Sequence, residues 1–250
     1  MKNELKINSS LFLNKDNMVD MLERYCRRKA FVNSEHEYPF TVGFTEKGDP
    51  IIKNLPDLGN VLIFGDTGKT HYHFMLFAQM LFVNFNNQPQ LALFDDTMQT
   101  LGIFFGNLSI NKYYIGAAEE LSAFLASLER EKSRRQSEGG KDFPYTVYFV
   151  YLDYHSLKDT FNMLRDKFYT NICDGLKDLG LQLIVCAGNS RTTEFVLPYA
   201  DSFDTTIGTK TLKLPEYSEL SSVEGIIERK GKKEKFLFWG NEIPAHDLEE

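Results

Sequence analysis

A short glycine-rich segment in the first third of the chain has residue types that could bind phosphate. The apolar run Val61–Phe64 leads directly into this segment, which consists of Gly65, Asp66, Thr67, Gly68, Lys69 and Thr70. A phosphate-binding loop has the pattern Gly-x-x-x-x-Gly-Lys-Ser/Thr between a strand and a helix, because successive backbone N–H groups and a helix N-terminus then surround the phosphates. The segment therefore resembles such a loop in two respects: it follows a predicted strand, and it ends in Gly-Lys-Thr.

The spacing within this segment is shorter than a complete phosphate-binding loop requires. The first glycine should stand six positions before the lysine, whereas Gly65 stands four before Lys69 and Ile63 occupies the sixth. Two residues, and with them two N–H donors, are missing, so a triphosphate would meet a smaller and less complete nest. Lys69 and Thr70 remain as groups that could contact a nucleotide. The alternative is an ordinary strand-to-helix turn that contains a lysine.

A second group that could take part in nucleotide chemistry is the acid that ends the β-prone run 145–152. In nucleotide hydrolases of this architecture, such an aspartate holds Mg²⁺ through water and an adjacent acid polarises the attacking water. Asp153 fits the first role, but Tyr154 and His155 supply no carboxylate for the second. His155 could act as a base or could be a capping or surface residue, and Asp153 could equally cap a helix. We therefore assign no catalytic residue, and Asp153 is the one candidate metal contact.

Composition limits the class of protein and argues against nucleic acid as a partner. The chain has 250 residues, 42% of them hydrophobic and 25% charged, as expected for a soluble globular protein with one large domain. Its net charge is -7, whereas proteins that bind DNA or RNA usually carry a basic face. Two small basic clusters, at 24–29 and 130–135, fall at predicted helix C-termini, where cations complement the helix dipole.

The cysteines and the apolar runs indicate where the protein works. Cys26, Cys173 and Cys186 are widely spaced and odd in number, which is typical of reduced thiols in a cytosolic protein. No apolar run approaches the ~20 residues of a membrane-spanning helix, and the N-terminus has no signal-peptide core. We therefore expect a water-soluble piece of chain, which segments outside it could still tether to a membrane.

Alternating strands and helices are expected to position the candidate site. The predicted strands span residues 40–44, 50–53, 61–64, 90–94, 112–116, 145–152 and 181–186, and the predicted helices span 71–85, 118–135 and 157–179. A loop at 187–191 follows the last of these strands, and residues 224–229 and 235–239 form a closing hairpin. The alternation indicates a parallel sheet covered on both faces. We expect a helical appendage at 1–38 and the main domain at 39–250.

Four further segments have an order that resembles a known family: 41–44 with 47–50, 94–96, 129–135, and 180–185 followed by 189–191. Their order and spacing are similar to those of the FtsK/SpoIIIE family of P-loop translocation ATPases over residues 40–240. The resemblance implies an α/β fold of the P-loop NTPase (RecA/FtsK-like) type, a parallel sheet sandwiched by helices with edge β-hairpins. It also implies a degenerate Walker A motif at Gly65–Thr70, a Walker B remnant at Asp153 and a sensor-like residue at Asn189.

Within that family, the chain is most similar to the C-terminal, third and degenerate ATPase module of the EssC-like coupling proteins of type VII secretion in Gram-positive bacteria. This resemblance implies substrate recognition or regulation of export at the cytoplasmic face of the cell membrane, with little or no ATP hydrolysis by the module itself. The implied partners are neighbouring ATPase modules of the same polypeptide and secreted helical-hairpin proteins. No nucleic acid is expected, membrane contact is expected only through segments outside this chain, and ATP and Mg²⁺ are cofactors only if the shortened loop still binds them.

Several departures from the family pattern bear on hydrolysis. They are the two-residue deletion before Lys69, the missing acid after Asp153, and Asp96 where DNA-pumping relatives usually have a lysine. The aromatic residues Phe64 and Tyr72 flank the loop and are candidates for occupying the space of the phosphates. Two alternatives stay open: an active ATPase completed by an acid and an arginine from a neighbouring subunit, and a DNA translocase module.

Overall fold

The computed structural model describes residues 34–65, 89–95, 110–115, 118–139, 142–152, 174–187, 189–221 and 224–237. The strands within these ranges are β1 (Pro39–Phe44), β2 (Pro50–Asn54), β3 (Val61–Phe64), β4 (Gln90–Asp95), β5 (Ile110–Ile115), β6 (Thr146–Leu152), β7 (Leu181–Ala187), β8 (Thr205–Thr209), β9 (Glu224–Arg229) and β10 (Lys232–Leu237). They form one sheet in the order β2-β1-β10-β9-β8-β3-β7-β6-β4-β5. This mixed α/β architecture confirms the predicted fold class.

The central part of the sheet is parallel, as the unalternating apolar runs predict. Strands β8, β3, β7, β6, β4 and β5 are neighbours in that order and all pair in parallel. Every residue of β3, β6 and β7 is buried, which is the property of strands covered on both faces. Side chains from alternate positions of these strands, including Leu62, Val150 and Val185, belong to one continuous apolar core.

Helices in the described ranges are α1 (Ala118–Ser137), α2 (Ser190–Val196) and α3 (Pro215–Ser218), with 3₁₀ segments at Leu55–Leu58, Lys177–Leu179 and Leu197–Ser202. The predicted helix 118–135 is confirmed as α1. Its predicted apolar face is buried against the sheet through Leu121, Phe124, Leu125 and Leu128. Acidic residues in its first turn and basic residues in its last turn complement the helix dipole.

Arg135, at the C-terminal end of α1, also fastens the helix to the sheet. Its side chain is only 1% exposed, and its guanidinium donates hydrogen bonds to Glu131 Oε1 (2.7 Å), Thr146 Oγ1 (2.7 Å) and the Leu179 carbonyl (2.8 Å). These acceptors lie on α1 itself, at the start of β6, and just before β7. The helix-end position of this basic residue agrees with the sequence analysis, and the buried hydrogen bonds give it a second, structural role.

Both predicted hairpins are confirmed. β1 and β2 pair around a turn in which Gly48 has a φ of 86°, and β2 is the edge strand of the sheet. β9 and β10 pair around Lys230 and Gly231, whose φ values of 50° and 73° are those of a two-residue hairpin turn. The turn is shorter than predicted, since β10 begins at Lys232. The β9–β10 hairpin connects the parallel strands to the β1–β2 hairpin.

Two predictions about the second half of the chain are wrong, and one strand was not predicted. Residues 174–179, predicted to end a helix, form turns and a 3₁₀ segment, because Gly175 and Gly180 adopt left-handed conformations that end a right-handed helix. Ser190 and Arg191, predicted in a loop, begin α2. β8 was not predicted, because Ile207 is its single large apolar residue and the apolar-run criterion overlooks its threonines. The predicted helix 71–85, residues 157–173 and most of the appendage lie outside the described residues.

Candidate functional site

The carboxyl ends of the parallel strands meet at one edge of the sheet, and the site must be sought there. β3 and β7 are neighbours at this edge, but the chain leaves β3 towards β4 on one side and leaves β7 towards β8 on the other. In open α/β sheets, ligands bind in the crevice at such a reversal of strand order. Gly65 directly follows β3, and Asn189 lies two residues beyond β7. The start of the predicted loop and the sensor-like residue therefore lie at this crevice.

Gly65 is held by a buried threonine of α2. Its backbone N–H donates a hydrogen bond to Thr193 Oγ1 (3.1 Å), and the same hydroxyl donates to the Gly65 carbonyl (2.8 Å). Thr193 is 0% exposed, so this pairing is shielded from water. Both backbone groups of the first loop residue are thus already paired within the protein.

Packing against a second buried threonine leaves no space for a side chain at position 65. Thr209, the last residue of β8, is fully buried. A Cβ atom added to Gly65 would overlap Thr209 Oγ1 and would lie 3.0 Å from Thr209 Cβ. Close packing between β3 and β8 therefore accounts for this glycine without any contact to a phosphate.

Asn189 caps helix α2. Its Oδ1 accepts hydrogen bonds from the backbone N–H groups of Arg191 and Thr192, both at 3.0 Å. The Thr192 hydroxyl in turn accepts a hydrogen bond from the Asn189 N–H at 3.0 Å, which completes a capping box. The cap orients α2 and so positions Thr193 against Gly65. The sensor-like role of Asn189 stays a prediction.

The other residues of the predicted site lie outside the described residues, namely Asp66, Thr67, Gly68, Lys69, Thr70 and Asp153. Their roles stay predictions. The described residue that precedes Asp153 is Leu152, which ends β6 and pairs with Ala187 of β7. Asp95 ends β4 at the same edge, is fully buried, and lies opposite Tyr151. Among the described residues, no group of three or more His, Cys, Asp or Glu side chains could hold a metal ion.

Phe64, the last residue of β3, packs into the core on one face of the sheet. Its ring meets the ring of Tyr217 edge-on, with the centroids 5.1 Å apart, and both rings lie over Gly208. Burial, reinforced by the nearby Glu216 carboxylate, raises the pKa of Tyr217 to about 12. The structure therefore places the Phe64 ring against Tyr217, while Tyr72 lies outside the described residues.

A cavity of about 430 Å³ opens beside this aromatic pair. Its apolar lining residues include Phe64, Leu197, Phe203, Leu214 and Tyr217, and its charged lining residues are Asp201, Asp204, Glu216, Glu228 and Lys230. The two exposed large hydrophobic residues of the described ranges, Phe195 (42%) and Leu212 (78%), lie two residues before Leu197 and Leu214. An ion pair between Lys213 and Glu194 (2.8 Å) joins the two segments that carry them. No local sequence pattern indicates this cavity, because its lining residues come from segments that contact only after folding.

The fold, with a glycine at the strand-order reversal, is similar to that of solved ATPase domains. EssC (ATPases 2 and 3) from Geobacillus thermodenitrificans is similar, with 18% identity and a TM-score of 0.61 over 84% of this chain and 43% of that chain. The cytoplasmic domain of the type VII secretion ATPase EccC from Thermomonospora curvata matches with 15% identity and a TM-score of 0.59, over 82% of this chain and 29% of that one. EccC (ATPases 2 and 3) from the same organism, in complex with a signal sequence peptide, matches with 15% identity and a TM-score of 0.57, over 84% and 42%.

These similarities confirm, at the level of the fold, the resemblance identified from the sequence. The chain spans less than half the length of each of these three structures. No protein-family model matches the sequence, and no curated protein matches it. In the part of the chain that the structure describes, no helix combines the length and the apolar character needed to cross a bilayer.

Proposed function

We propose that this chain is an ATPase-fold module of a type VII secretion coupling protein that recognises export substrates or regulates export, with little or no ATP hydrolysis of its own. The shared fold with EssC and EccC supports the proposal, because both of those structures contain more than one ATPase. In such a tandem arrangement, a module with an incomplete phosphate-binding loop can serve recognition while neighbouring modules hydrolyse ATP.

The observation that carries the proposal is the environment of Gly65. Its N–H is paired with Thr193, and its Cα is packed against Thr209. The loop that follows is two residues shorter than the pattern of a complete phosphate-binding loop. Because phosphate binding depends on several converging backbone N–H groups, this loop begins with one donor already paired and has two fewer residues to supply the others.

The first test is the rate of Mg-ATP hydrolysis by the full chain. We expect negligible turnover, because removing one preorganised electrostatic group typically costs ~10²- to 10³-fold in rate, and here the loop and the acid after Asp153 are both incomplete. Lys69→Ala should then change nothing, and Lys47→Ala, at an exposed lysine of the β1–β2 turn, is the matched control. Turnover of about 1–100 per second that Lys69→Ala abolishes would make the chain an ATPase.

We assign to a partner the apolar cavity beside Phe64 together with Phe195 and Leu212, which are exposed on the segments that contribute Leu197 and Leu214 to the cavity. Exposed apolar patches with a polar rim are typical of protein-binding sites. An amphipathic helix docks in such a groove through apolar side chains at i, i+3 or i+4, and i+7. The lining has four acids and one lysine, and although Glu216 and Glu228 already pair with Lys233, this balance favours a segment that also carries lysine or arginine. The occupant that we propose is a helical signal segment of a secreted helical-hairpin protein, in keeping with the signal sequence peptide bound to EccC.

The second test compares partner binding by the wild type and by a Phe195→Ser, Leu212→Ser double variant. We expect the double variant to lose about tenfold or more in affinity, because truncating an interface anchor costs more than ~1 kcal/mol. Binding should be the same with and without Mg-ATP. The control is the double variant Arg130→Ser, Gln136→Ser, which changes two exposed positions of α1. It should bind like the wild type. Unchanged affinity in the apolar double variant would contradict the assignment of this surface.

A further inference from the structure

A second cavity lies between the two hairpins, away from the edge that carries Gly65. The hairpins pair with each other at a single described position, Phe44 opposite Leu237, and a cavity of about 450 Å³ opens between them. Its apolar walls are Ile52, Leu58 and Ile227. Arg229, also in its lining, lies opposite Thr205, the first residue of β8. The cavity is therefore at the amino end of the parallel strands, opposite the candidate nucleotide edge.

The lining of this cavity is strongly basic, although the whole chain has a net charge of -7. Its cations are Lys53, Arg229, Lys230, Lys232 and Lys233, and its acids are Asp57 and Glu234. Lys53 pairs with Glu234 at 2.8 Å, and Lys233 pairs with Glu216 and Glu228. Within the part of the chain that the structure describes, Arg229, Lys230 and Lys232 have no acidic partner. Three positive charges of the lining thus form no ion pair, although Lys230 also lines the cavity beside Phe64, which contains acidic residues.

Arg229 carries the strongest indication of a ligand. Its Nε is buried, and no protein group accepts a hydrogen bond from it. Buried donors of charged groups are costly to leave unpaired, and nearly all of them have a partner in native structures. Arg229 also lines the cavity, so an acceptor bound there would lie beside this guanidinium.

The register of the hairpin adds a second, independent indication. Arg229 and Lys232 lie directly opposite each other across the β9–β10 pair, and like charges at such positions repel. Lys230 adjoins them in the two-residue turn. A hairpin selected for stability alone would place opposite charges here. An anion bound between these side chains would remove the repulsion and supply the acceptor that Arg229 lacks.

We propose that this cavity binds a phosphorylated ligand, with its phosphate at Arg229, Lys230 and Lys232 and its remaining part over the apolar wall. Three cations that form no ion pair favour a doubly charged phosphate over a single carboxylate, and a guanidinium binds phosphate oxygens through directed, paired hydrogen bonds. The cavity volume lies within the range of small-molecule sites. The phosphate can belong to a soluble metabolite or to a phospholipid headgroup, and the site is independent of the Gly65–Thr70 loop.

The test is a calorimetric titration of the full chain with inorganic pyrophosphate, against sodium chloride at equal ionic strength. We expect saturable binding in the wild type and in Lys69→Ala, which excludes the nucleotide loop as the site. Arg229→Gln and Lys230→Gln should each weaken binding by about tenfold or more. Arg130→Gln, which removes the same charge from an exposed position of α1, should bind like the wild type. Because Arg229→Gln removes a like-charge contact, its melting temperature should equal or exceed that of the wild type.

A vesicle sedimentation assay distinguishes the two sources of phosphate. Sedimentation of the wild type, but not of Arg229→Gln, with vesicles of phosphatidylcholine and phosphatidic acid would assign the site to a lipid headgroup. Pyrophosphate binding without sedimentation would assign it to a soluble phosphorylated molecule. Absence of both, or pyrophosphate binding that Arg229→Gln and Lys230→Gln leave unchanged, would overturn the proposal.

Discussion

Replacing Arg135 by alanine is expected to lower the free energy of unfolding by about 3 kcal/mol. Removing one partner of a buried ion pair costs roughly 3–5 kcal/mol, and the lower end applies because Glu131 retains Arg134 as a partner and is partly exposed. The substitution also leaves the Thr146 hydroxyl and the Leu179 carbonyl without the donor that joins α1 to β6 and β7. For a chain of this length, the melting temperature should fall by about 6–12 °C.

Arg134 provides a matched control for this prediction. It is the preceding residue of α1, it also pairs with Glu131, and its side chain is 43% exposed. Ion pairs of exposed side chains are screened by water and contribute little, so Arg134→Ala should lower the free energy of unfolding much less than Arg135→Ala does. Arg135→Lys should recover only part of the loss, because an ammonium group cannot reproduce the planar fork of donors. Equal destabilisation by Arg134→Ala and Arg135→Ala in urea unfolding would contradict the assigned role.

The same group of side chains gives a pH dependence with a defined sign. Hydrogen bonds from Arg134 and, secondarily, from Arg135 lower the pKa of Glu131 from 4.5 to about 2. A carboxylate with a lowered pKa stabilises the folded state above its unfolded pKa, and this contribution disappears as the pH falls from 4.5 towards 2. Arg135→Ala should therefore reduce the difference in stability between these two pH values.

Replacing Gly65 by alanine is expected to destabilise the protein by about 1–3 kcal/mol, the usual cost of overpacking a core. The added methyl group would overlap Thr209 Oγ1, and Thr209 belongs to a buried strand that cannot move aside without disturbing its pairing with β3. A glycine kept only for phosphate contact would show no such effect in the absence of nucleotide. Thermal unfolding of the full chain without nucleotide measures the difference.

Two further variants make this second prediction specific. Gly139→Ala should leave the free energy of unfolding almost unchanged, because the atom nearest to the added methyl group would be the Gln136 carbonyl oxygen, 3.7 Å away. Combining Gly65→Ala with Thr209→Ala removes the overlapping oxygen and should recover part of the lost stability, so the two substitutions should not be additive. Additive effects, or equal effects of Gly65→Ala and Gly139→Ala, would show that packing against Thr209 does not determine the residue at position 65.

Local sequence patterns predict the buried central strands and the hairpin turns of the fold. The apolar runs of β3, β6 and β7 were recognisable because strands covered on both faces carry no polar alternation. The turn at Lys230 and Gly231 was likewise identified, although its length was overestimated. β8 was missed because buried threonines bond to the main chain of a neighbouring segment, as Thr205 does with the Leu58 carbonyl, and nothing near them in the sequence reveals that partner.

The candidate site was only partly predictable for the same reason. The spacing between Gly65 and Lys69 identified a shortened loop, and the order of segments identified the fold. The hydrogen bonds between Gly65 and Thr193 join residues 128 positions apart, so no local pattern could show that the loop begins with a paired N–H. The sequence indicates only a closing hairpin around the basic residues 230–233, because the cavity and its charge exist only when β2, β9 and β10 come together.

Calorimetric titration of the full chain with Mg-ATP measures whether the shortened loop binds nucleotide as a complete loop does. We predict no saturable binding with a Kd tighter than about 1 mM. A variant with Ser-Gly inserted between Gly68 and Lys69 restores the loop length and is expected to bind more tightly than the wild type. A Kd well below about 1 mM for the wild type, with binding lost in Lys69→Ala, would show that the shortened loop binds nucleotide and would contradict this prediction.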